Sequence, residues 1–470
     1  MRKTKIICTI GPASANEETL RGMCLAGMNV ARLNFSHGTH AEHLRVIRLI
    51  EKVRDDLKMP VAIMLDTKGP EYRIGSFEHG SVELSAGDLF TLTTDDVPGN
   101  REHVSVSYKQ LCGQLAPGDR VLLNNGLLVL EVLSADAQAA RCRVLTGGTL
   151  SDRKSMSFPG HVFEHAYLSE QDKADILFGA RNGVDFIACS FVSNQQDMLS
   201  VRGFLEENGV RDIDLIAKIE NRSGVNNIEE ISAACDGIMV ARGDLGVEIP
   251  FEELPAVQKR LITKCRLLGK RVITATEMLE SMITNIRPTR AEISDVANAV
   301  YDGTSAIMLS GETAAGKYPV QAVETMARIA LETEKNIDYS RLFHMAEFRI
   351  HNIPDAISHA VCGMAIDLDA KLIVVCSLSG KTVRMVSRFR CPVDILGITT
   401  NEKSWRKLAL SWGVTPAISS RFDSTDVMFY NGKQQAVELF HLRPGDRIVM
   451  TGGRTDGCSG NTNMLKAETV

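Results

Sequence analysis

Although the chain of 470 residues carries eleven cysteines, no two of them are spaced as a C-x-x-C pair. That absence removes the zinc-ribbon frameworks, and the placement of Cys8, Cys189 and Cys376 in or beside apolar runs reads as buried thiols in a reducing compartment. Long runs of one charge are also missing. With a formal net charge of -5 spread along the chain, nothing favours nucleic acid or an anionic membrane as partner. No apolar stretch approaches the roughly 20 residues a membrane helix needs. The basic start Met1-Arg2-Lys3-Thr4-Lys5 precedes an apolar run that Gly11-Pro12 stops after a few residues, too soon for an export signal. The expected address is cytoplasmic.

What is present is an ordinary globular composition, 44% hydrophobic and 24% charged, on a chain too long for one core. Eight short apolar runs recur: Ile6 to Ile10, Met28 to Leu33, Val61 to Leu65, Val184 to Ala188, Ile213 to Ala217, Gly237 to Val240, Val272 to Ala275 and Ala306 to Leu309. Helical periodicity separates most of them, as over Glu17 to Ala26 and Glu253 to Leu268, so the pattern is strand, helix, strand, helix and implies a parallel sheet. Runs apolar on both faces suit a closed (β/α)8 TIM barrel; an open doubly wound sheet is the alternative.

Leu65 and Val184 stand much further apart than one crossover helix requires, and the interval carries strand-like runs between Gly, Asp and Pro turns. It reads as a small all-β lid. A long helix is expected to about Ile337, then a polar boundary near Asp338 to Asn352, then a further α/β unit with runs Leu372 to Cys376, Val393 to Thr399 and Arg447 to Thr451. The expected domains are a barrel over 1–69 and 169–343, an inserted β lid over 70–168 and a C-terminal α/β domain over 344–470.

In a barrel, chemistry sits just past the carboxyl ends of the strands. Here those ends run into Arg32 and Asn34-Phe35-Ser36-His37, Asp66-Thr67, Ser190, Lys218-Ile219-Glu220, Arg242-Gly243-Asp244, Thr276-Glu277 and Ser310-Gly311-Glu312. Any one such charge is equally a solvated loop residue; repetition on a single rim is what argues for a site. Glu220 and Asp244 could share a hard divalent cation, and Lys218 and Arg32 supply the fixed positive charge that a phosphoryl group in transfer needs. Asn34, Ser36, Asp66 and Thr67 offer further oxygens, read from the residues alone as loop hydrogen bonding before a monovalent cation.

Two glycine-rich stretches imitate phosphate loops and fail the pattern. Gly311 to Lys317 is followed by Tyr318 where a metal-binding Ser or Thr is required, and Ser379-Gly380-Lys381-Thr382 is preceded by Val375 where the first glycine belongs. The second lies between a strand and a helix, which leaves two readings open, an effector-phosphate site at the helix start and an ordinary capped turn.

In order, Lys5 to Pro12, Asn29 to Gly38, Leu65 to Glu71, Lys218 to Asn221, Met239 to Gly246, Arg287 to Glu292 and Met308 to Thr313 closely resemble the motifs of pyruvate kinase. The resemblance is dense in the barrel, weak in the insert and moderate beyond it, ending near Ser459 to Asn463. It implies phosphoryl transfer from phosphoenolpyruvate to ADP in glycolysis, giving pyruvate and ATP, with Mg2+ or Mn2+ on Glu220 and Asp244, and K+ on Asn34, Ser36, Asp66 and Thr67. Lys218 would stabilise the phosphoryl group and enolate. Thr276 and Ser310 would pass a proton through water, and Ala241, Arg242, Gly243 and Asp244 would hold the substrate carboxylate. By the same resemblance Arg32, Asn34, His37, Arg73 and Lys154 would meet nucleotide and phosphoryl groups, and Glu102 matches the acidic residue of potassium-dependent members. A homotetramer is implied, with a sugar-phosphate or nucleotide effector on Ser377, Ser379, Gly380, Lys381 and Thr382.

This chain departs from that pattern at Asn124-Asn125-Gly126, where Asp-Asp-Gly is usual, at Glu277, where Gln is usual, and at Tyr72, Ser155 and Ser157. The altered lid motivates the alternative of a non-catalytic phosphoenolpyruvate- or effector-binding paralogue; a further alternative is a metal-dependent lyase or aldolase on a similar metal-bearing barrel, which would not need ADP.

Overall fold

A computed structural model describes residues 1–161, 163, 166–346, 348–420, 424–454 and 460–470. Eight parallel strands, β1 (Lys5–Thr9), β2 (Val30–Asn34), β3 (Ala62–Asp66), β4 (Phe186–Cys189), β5 (Asp214–Ile219), β6 (Gly237–Ala241), β7 (Arg271–Ala275) and β8 (Ala306–Leu309), close into a barrel in which each strand pairs with its neighbours in sequence and β8 returns to β1. The open-sheet alternative is thereby excluded. All eight expected runs become these strands.

Alternation along each strand decides what enters the lumen. Ala31, Leu33, Ile63, Leu65, Leu215, Ala217 and Ile219 pack outward against the helical ring, whereas Val30, Ala62, Met64, Phe186, Ala188, Ile216, Met239, Ala306 and Met308 fill the interior. By the same period of two, Arg32, Asn34, Asp66, Ser190, Lys218, Glu220 and Ser310 continue the inward-facing rows at the carboxyl ends. The base of the lumen is closed by Leu410, from the C-terminal domain, which belongs to the same interior cluster.

Between β3 and β4 lies the inserted β domain. Its seven-stranded sheet runs from Tyr72–Arg73 through Ser155–Ser157, Arg120–Leu123, Leu128–Ala135, Ala139–Thr146 and Leu89–Thr93 to His103–Ser105, beside the small pair Ser81–Leu84 with Gly148–Ser151. It has its own core, centred on Phe90, Leu130, Val132 and Cys142.

In the C-terminal domain the expected strands appear as β9 (Leu372–Cys376), β10 (Asp394–Thr399) and β12 (Arg447–Gly453), joined by two that the sequence reading lacks, β11 (Val414–Ile418) and β13 (Thr462–Thr469). The sheet order is β11-β10-β9-β12-β13, with only β13 antiparallel. The polar stretch after the long helix Pro319–Lys335 also holds a helix, Tyr339–Met345, started by Asp338 and anchored by buried Tyr339 and Phe343, so the expected division between 343 and 344 falls inside an element. Ser459 lies outside the described residues.

Candidate active site

The inward rows converge on one buried cluster of charges. From β2, Arg32 directs its guanidinium to Asp66 Oδ2 at 2.6 Å and to Thr9 Oγ1 at 2.9 Å. Lys218, on β5, reaches Asp66 Oδ1 at 3.1 Å, Ser190 Oγ at 2.7 Å and Glu220 Oε1 at 2.9 Å. Asp66 therefore joins two cations across two strands. Burial raises its carboxyl, but Arg32 and Lys218 outweigh that and hold it below the usual range. For Lys218 burial lowers the ammonium, and Asp66 and Glu220 overturn that to keep it charged well above its ordinary value.

Glu220 is the unbalanced member. Fully buried, its carboxyl is pushed up to about 7 by desolvation, against the pull of Lys218 and with Asp244 and Asp66 adding repulsion. Oε2 accepts from Phe191 N–H at 2.6 Å, a residue held at φ 56°. Oε1 has no aligned hydrogen-bond donor among the described residues, although Lys218 stands beside it. A buried carboxylate oxygen left in this way, with a second carboxylate nearby on Asp244, fits a cation that keeps places for water and substrate oxygens. Among the described residues no group of three or more His, Cys, Asp or Glu side chains could hold a metal, so a cation here relies on non-protein oxygens for its remaining places.

The opposite wall is built from strained backbone. Thr276 and Glu277 follow β7 at φ 69° and 55°, a left-handed pair of non-glycine residues of the kind that persists when the surroundings over-determine it. Those surroundings are Arg242, whose guanidinium donates to the carbonyls of Ala275, Thr276 and Glu277 and pairs with Asp295 at 2.7 Å. The Arg242 side chain is thus spent on holding the turn. The Thr276 hydroxyl accepts from Gly243 N–H at 2.8 Å and donates to the Ala275 carbonyl at 2.5 Å, which fixes its direction. Next to it, Ser310 N–H donates to Glu312 Oε2 at 2.7 Å, and the other oxygen of Glu312 accepts from Leu279 N–H.

The other expected residues are placed unevenly. Asn34 Oδ1 accepts from Ser36 N–H at 3.2 Å, and Thr67 Oγ1 accepts from Ser190 N–H, so the other three oxygen-bearing residues sit on adjoining turns beside Asp66. The His37 carbonyl is bonded to His43, whose ring stacks on Phe35. Arg73 pairs with Glu71 at 2.5 Å and donates to the Arg153 carbonyl. Lys154 makes no side-chain bond among the described residues and does not line the cavity between insert and barrel. Glu102 is exposed, with no bond from its carboxylate to this cluster. In the C-terminal domain Gly380 starts the helix Lys381–Ser387 at φ 73°, Thr382 is buried with its hydroxyl 2.5 Å from that of Thr462, and Ser379 lines a separate cavity with Arg211, Asn401 and Lys403.

Insert and barrel enclose a cavity that reaches Asp244, walled by Tyr72, Asn125, Phe158, Phe163, Arg222 and Glu248 among others. Asn124, Asn125 and Gly126 all have left-handed backbone, at φ 52°, 56° and 81°, so the tip turn wants Asn, Asp or Gly on steric grounds and Asn replaces Asp without altering it. Asn125 accepts from the Ser155 hydroxyl at 3.0 Å, which ties two of this chain's departures together. Phe158 N–H donates to Glu248, whose carboxyl is pushed up to about 7 by burial against the pull of its donors.

Residue types at spacing did not disclose Ser190 as the hydroxyl between Lys218 and Asp66, nor Phe191 as the donor to Glu220. Ser190 was read on the rim at the end of the fourth run, but without its partners; the second is a backbone group and leaves no mark in sequence. Thr289 and Glu292, inside a matched motif, form a capping box that opens the helix Arg290–Tyr301, so their role is structural.

Residues 1–323 match the family described as pyruvate kinase, barrel domain, and residues 355–467 match pyruvate kinase, alpha/beta domain. The chain belongs to the pyruvate kinase family. A pyruvate kinase of Geobacillus stearothermophilus is 48% identical over 472 residues, spanning 100% of this chain and 80% of the relative. One of Clostridium acetobutylicum is 45% identical over 474 residues, spanning 100% of both. In three dimensions the crystal structure of a pyruvate kinase from Cryptosporidium parvum superposes with a TM-score of 0.94 at 40% identity, over 100% of this chain and 96% of that one. No helix among the described residues is long and apolar enough to cross a membrane, and ten cysteines are buried and unpaired.

Proposed function

We propose that this chain transfers the phosphoryl group of phosphoenolpyruvate to ADP and protonates the resulting enolate to pyruvate. The observation that carries the reading is the buried carboxylate oxygen of Glu220 beside the charged Lys218, at the inner rim of a barrel of this family. Glu220 and Asp244 would hold Mg2+ or Mn2+, which when bound neutralises phosphoryl oxygens and fixes the substrate's position. Lys218 contributes a preorganised positive charge where negative charge develops on the bridging oxygen and the phosphoryl group. Ser190 and Asp66 hold that ammonium in place.

Arg32 adds a second fixed cation. The backbone from Ala241 to Asp244 receives the substrate carboxylate, and Thr276, its hydroxyl direction set by Gly243 and Ala275, hands a proton through water with Ser310 to the enolate carbon. Asn34, Ser36, Asp66 and Thr67 would take K+, and Arg73, His37 and Lys154 the nucleotide, with Lys154 arriving on closure of the insert. The proposal extends to three domains with bounds near 69 and 169 and just before the helix Tyr339–Met345, whose Phe343 belongs to the C-terminal core, a cytoplasmic homotetramer, and a phosphorylated effector on Ser377 to Thr382.

A coupled assay of purified protein with phosphoenolpyruvate, ADP, Mg2+ or Mn2+, and K+ tests the reading. Pyruvate formed in proportion to ADP consumed, lost when the divalent cation is chelated and lowered without K+, is the expected result. Binding of phosphoenolpyruvate without turnover would replace it with the paralogue.

A further inference from the structure

Two stretches of chain connect the insert to the barrel, one leaving β3 and one returning to the helix Glu170–Arg181 that precedes β4, and both rest on a single peptide. On the way out, Gly69 lies at φ 65° with no side chain; a Cβ there would stand 2.9 Å from both the Cβ and the carbonyl oxygen of Ser190, closer than real contacts allow. On the way back, buried Tyr167 donates its hydroxyl to the same Ser190 carbonyl at 2.6 Å. Asp172 ties the two stretches together, accepting from Gly69 N–H at 3.1 Å and from the Ser169 hydroxyl at 2.6 Å.

The Ser190 carbonyl and the N–H of Phe191 belong to one planar peptide unit, so a group that holds the first aims the second. Phe191 N–H is the donor to Glu220 Oε2 at 2.6 Å, and Phe191 lies at φ 56°, a conformation that a non-glycine residue keeps only under constraint. A flip of this peptide would relieve the left-handed backbone and turn the N–H away from Glu220. The Tyr167 bond opposes that flip. Ser190 also carries the hydroxyl that accepts from Lys218 at 2.7 Å and donates to the Thr67 carbonyl at 2.7 Å. One short segment therefore orients partners for both the carboxylate and the ammonium of the site. Burial pushes the Tyr167 phenol far above its ordinary pKa, so it remains a donor throughout the neutral range.

We propose that Tyr167 is a positioning residue for phosphoryl transfer: its hydroxyl pins the Ser190–Phe191 peptide, which sets the direction of Glu220 and Lys218 and ties both to the root of the insert. Tyr167 touches no reacting atom. This role rests on Glu220 and Asp244 taking the divalent cation, as proposed above. Groups that hydrogen-bond a metal ligand from behind are worth about 10–100-fold in metal affinity or activity. Tyr167 acts one bond further back, through the peptide, so the loss expected on removing its hydroxyl is about fivefold, that of one buried hydrogen bond.

Mn2+ titrated into the full-length, substrate-free protein, with the free ion read by electron paramagnetic resonance, tests this. Tyr167→Phe keeps the ring and deletes the hydroxyl. It should bind Mn2+ about fivefold more weakly and, at saturating Mn2+, lower kcat for pyruvate formation with KM for ADP unchanged. Ser387→Ala controls for stability alone, because it deletes a comparable buried bond, to the Trp412 carbonyl at 2.6 Å, in the C-terminal domain. It should lower the unfolding temperature by a similar amount and bind Mn2+ as the wild type does. Should Tyr167→Phe fail to fold, Gly69→Ala, whose Cβ presses on the same carbonyl, should weaken Mn2+ binding likewise. Wild-type affinity in Tyr167→Phe, or in Gly69→Ala where that variant stands in, or an equal loss in Ser387→Ala, would overturn the role. A wild-type protein that binds no Mn2+ would overturn it together with the cation reading on which it rests.

Discussion

The two ends of this barrel are electrostatic opposites. At the mouth four charged groups, Arg32, Asp66, Lys218 and Glu220, pair two against two, with Asp244 as a further carboxylate nearby; at the base, cations outnumber carboxylates and several guanidinium N–H groups have no partner among the described residues. A buried charge left without a counter-charge is costly, so each end depends on how its own ions are shared. The extra carboxylate suits the mouth to a cation, whereas the base holds two domains together. The base also contains fully satisfied pairs, such as Arg406 with Asp185 at 2.9 Å, which dock the C-terminal domain without selecting a ligand.

The largest effect that would sharpen this contrast is at the mouth. Lys218→Met should lower kcat by about 10²–10³, the cost of deleting one preorganised charge at a transition state, while the far-ultraviolet dichroism stays native. Loss of fold in place of loss of rate would make Lys218 a structural ion. At the base the response should be in stability. Asp214→Asn strips the shared partner from Arg271, Arg384 and Lys407 and should cost about 3–5 kcal/mol with kcat little changed at low temperature. Burial raises the Asp214 carboxyl, and its three cations more than reverse that to hold it far below the usual range. Its contribution is therefore present above the ordinary carboxylate pKa and lost only as pH falls through the depressed folded value, so wild type and variant should converge in acid melts.

Lys5, fully buried with Nζ on the Val414 carbonyl, carries the opposite sign. Burial, with Arg2 and Lys3 adding repulsion, lowers its ammonium to about 7 against the pull of Glu334 and Asp394. Between that value and the ordinary lysine range the unfolded chain binds more protons, so stability should rise with pH across the window. Lys5→Met should flatten that rise and add about 1–4 kcal/mol near pH 6, as replacing a buried ion by an apolar group can. Thermal unfolding across pH 6 to 10.5 reads both. The smallest effect belongs to the insert: Asn124→Ala forces a left-handed backbone on alanine and should cost about 1 kcal/mol, whereas Asn124→Asp should preserve the turn and alter only the apparent affinity for nucleotide.

Much of this was legible in the chain. The eight apolar runs gave the barrel because strands buried on both faces leave no ambiguity of period, and the residues ending them gave the rim. β11 and β13 were not legible because edge strands are half exposed: Thr415 and Pro416 interrupt the first, and Glu468 and Lys466 pair on the surface of the second. The helix Tyr339–Met345 was hidden by polar neighbours, since two aromatic anchors make too weak a stripe to count. Within the site, side chains from matched motifs were readable; Phe191 N–H and the left-handed turn at Thr276 and Glu277 were not, because backbone donors and strain have no residue type of their own. The arginines of the base were individually visible in sequence, but their meeting depends on two domains packing together, which spacing does not encode.

The central claim is that a divalent cation is drawn to the mouth by Glu220 and Asp244 next to Lys218. Crystals grown with Mn2+ and phosphoenolpyruvate, measured at the manganese absorption edge, test it most directly. An anomalous peak within bonding distance of both carboxylates, with the phosphoryl group between the metal and Lys218, is the result expected. A peak elsewhere in the molecule, with both carboxylates unliganded, would contradict it.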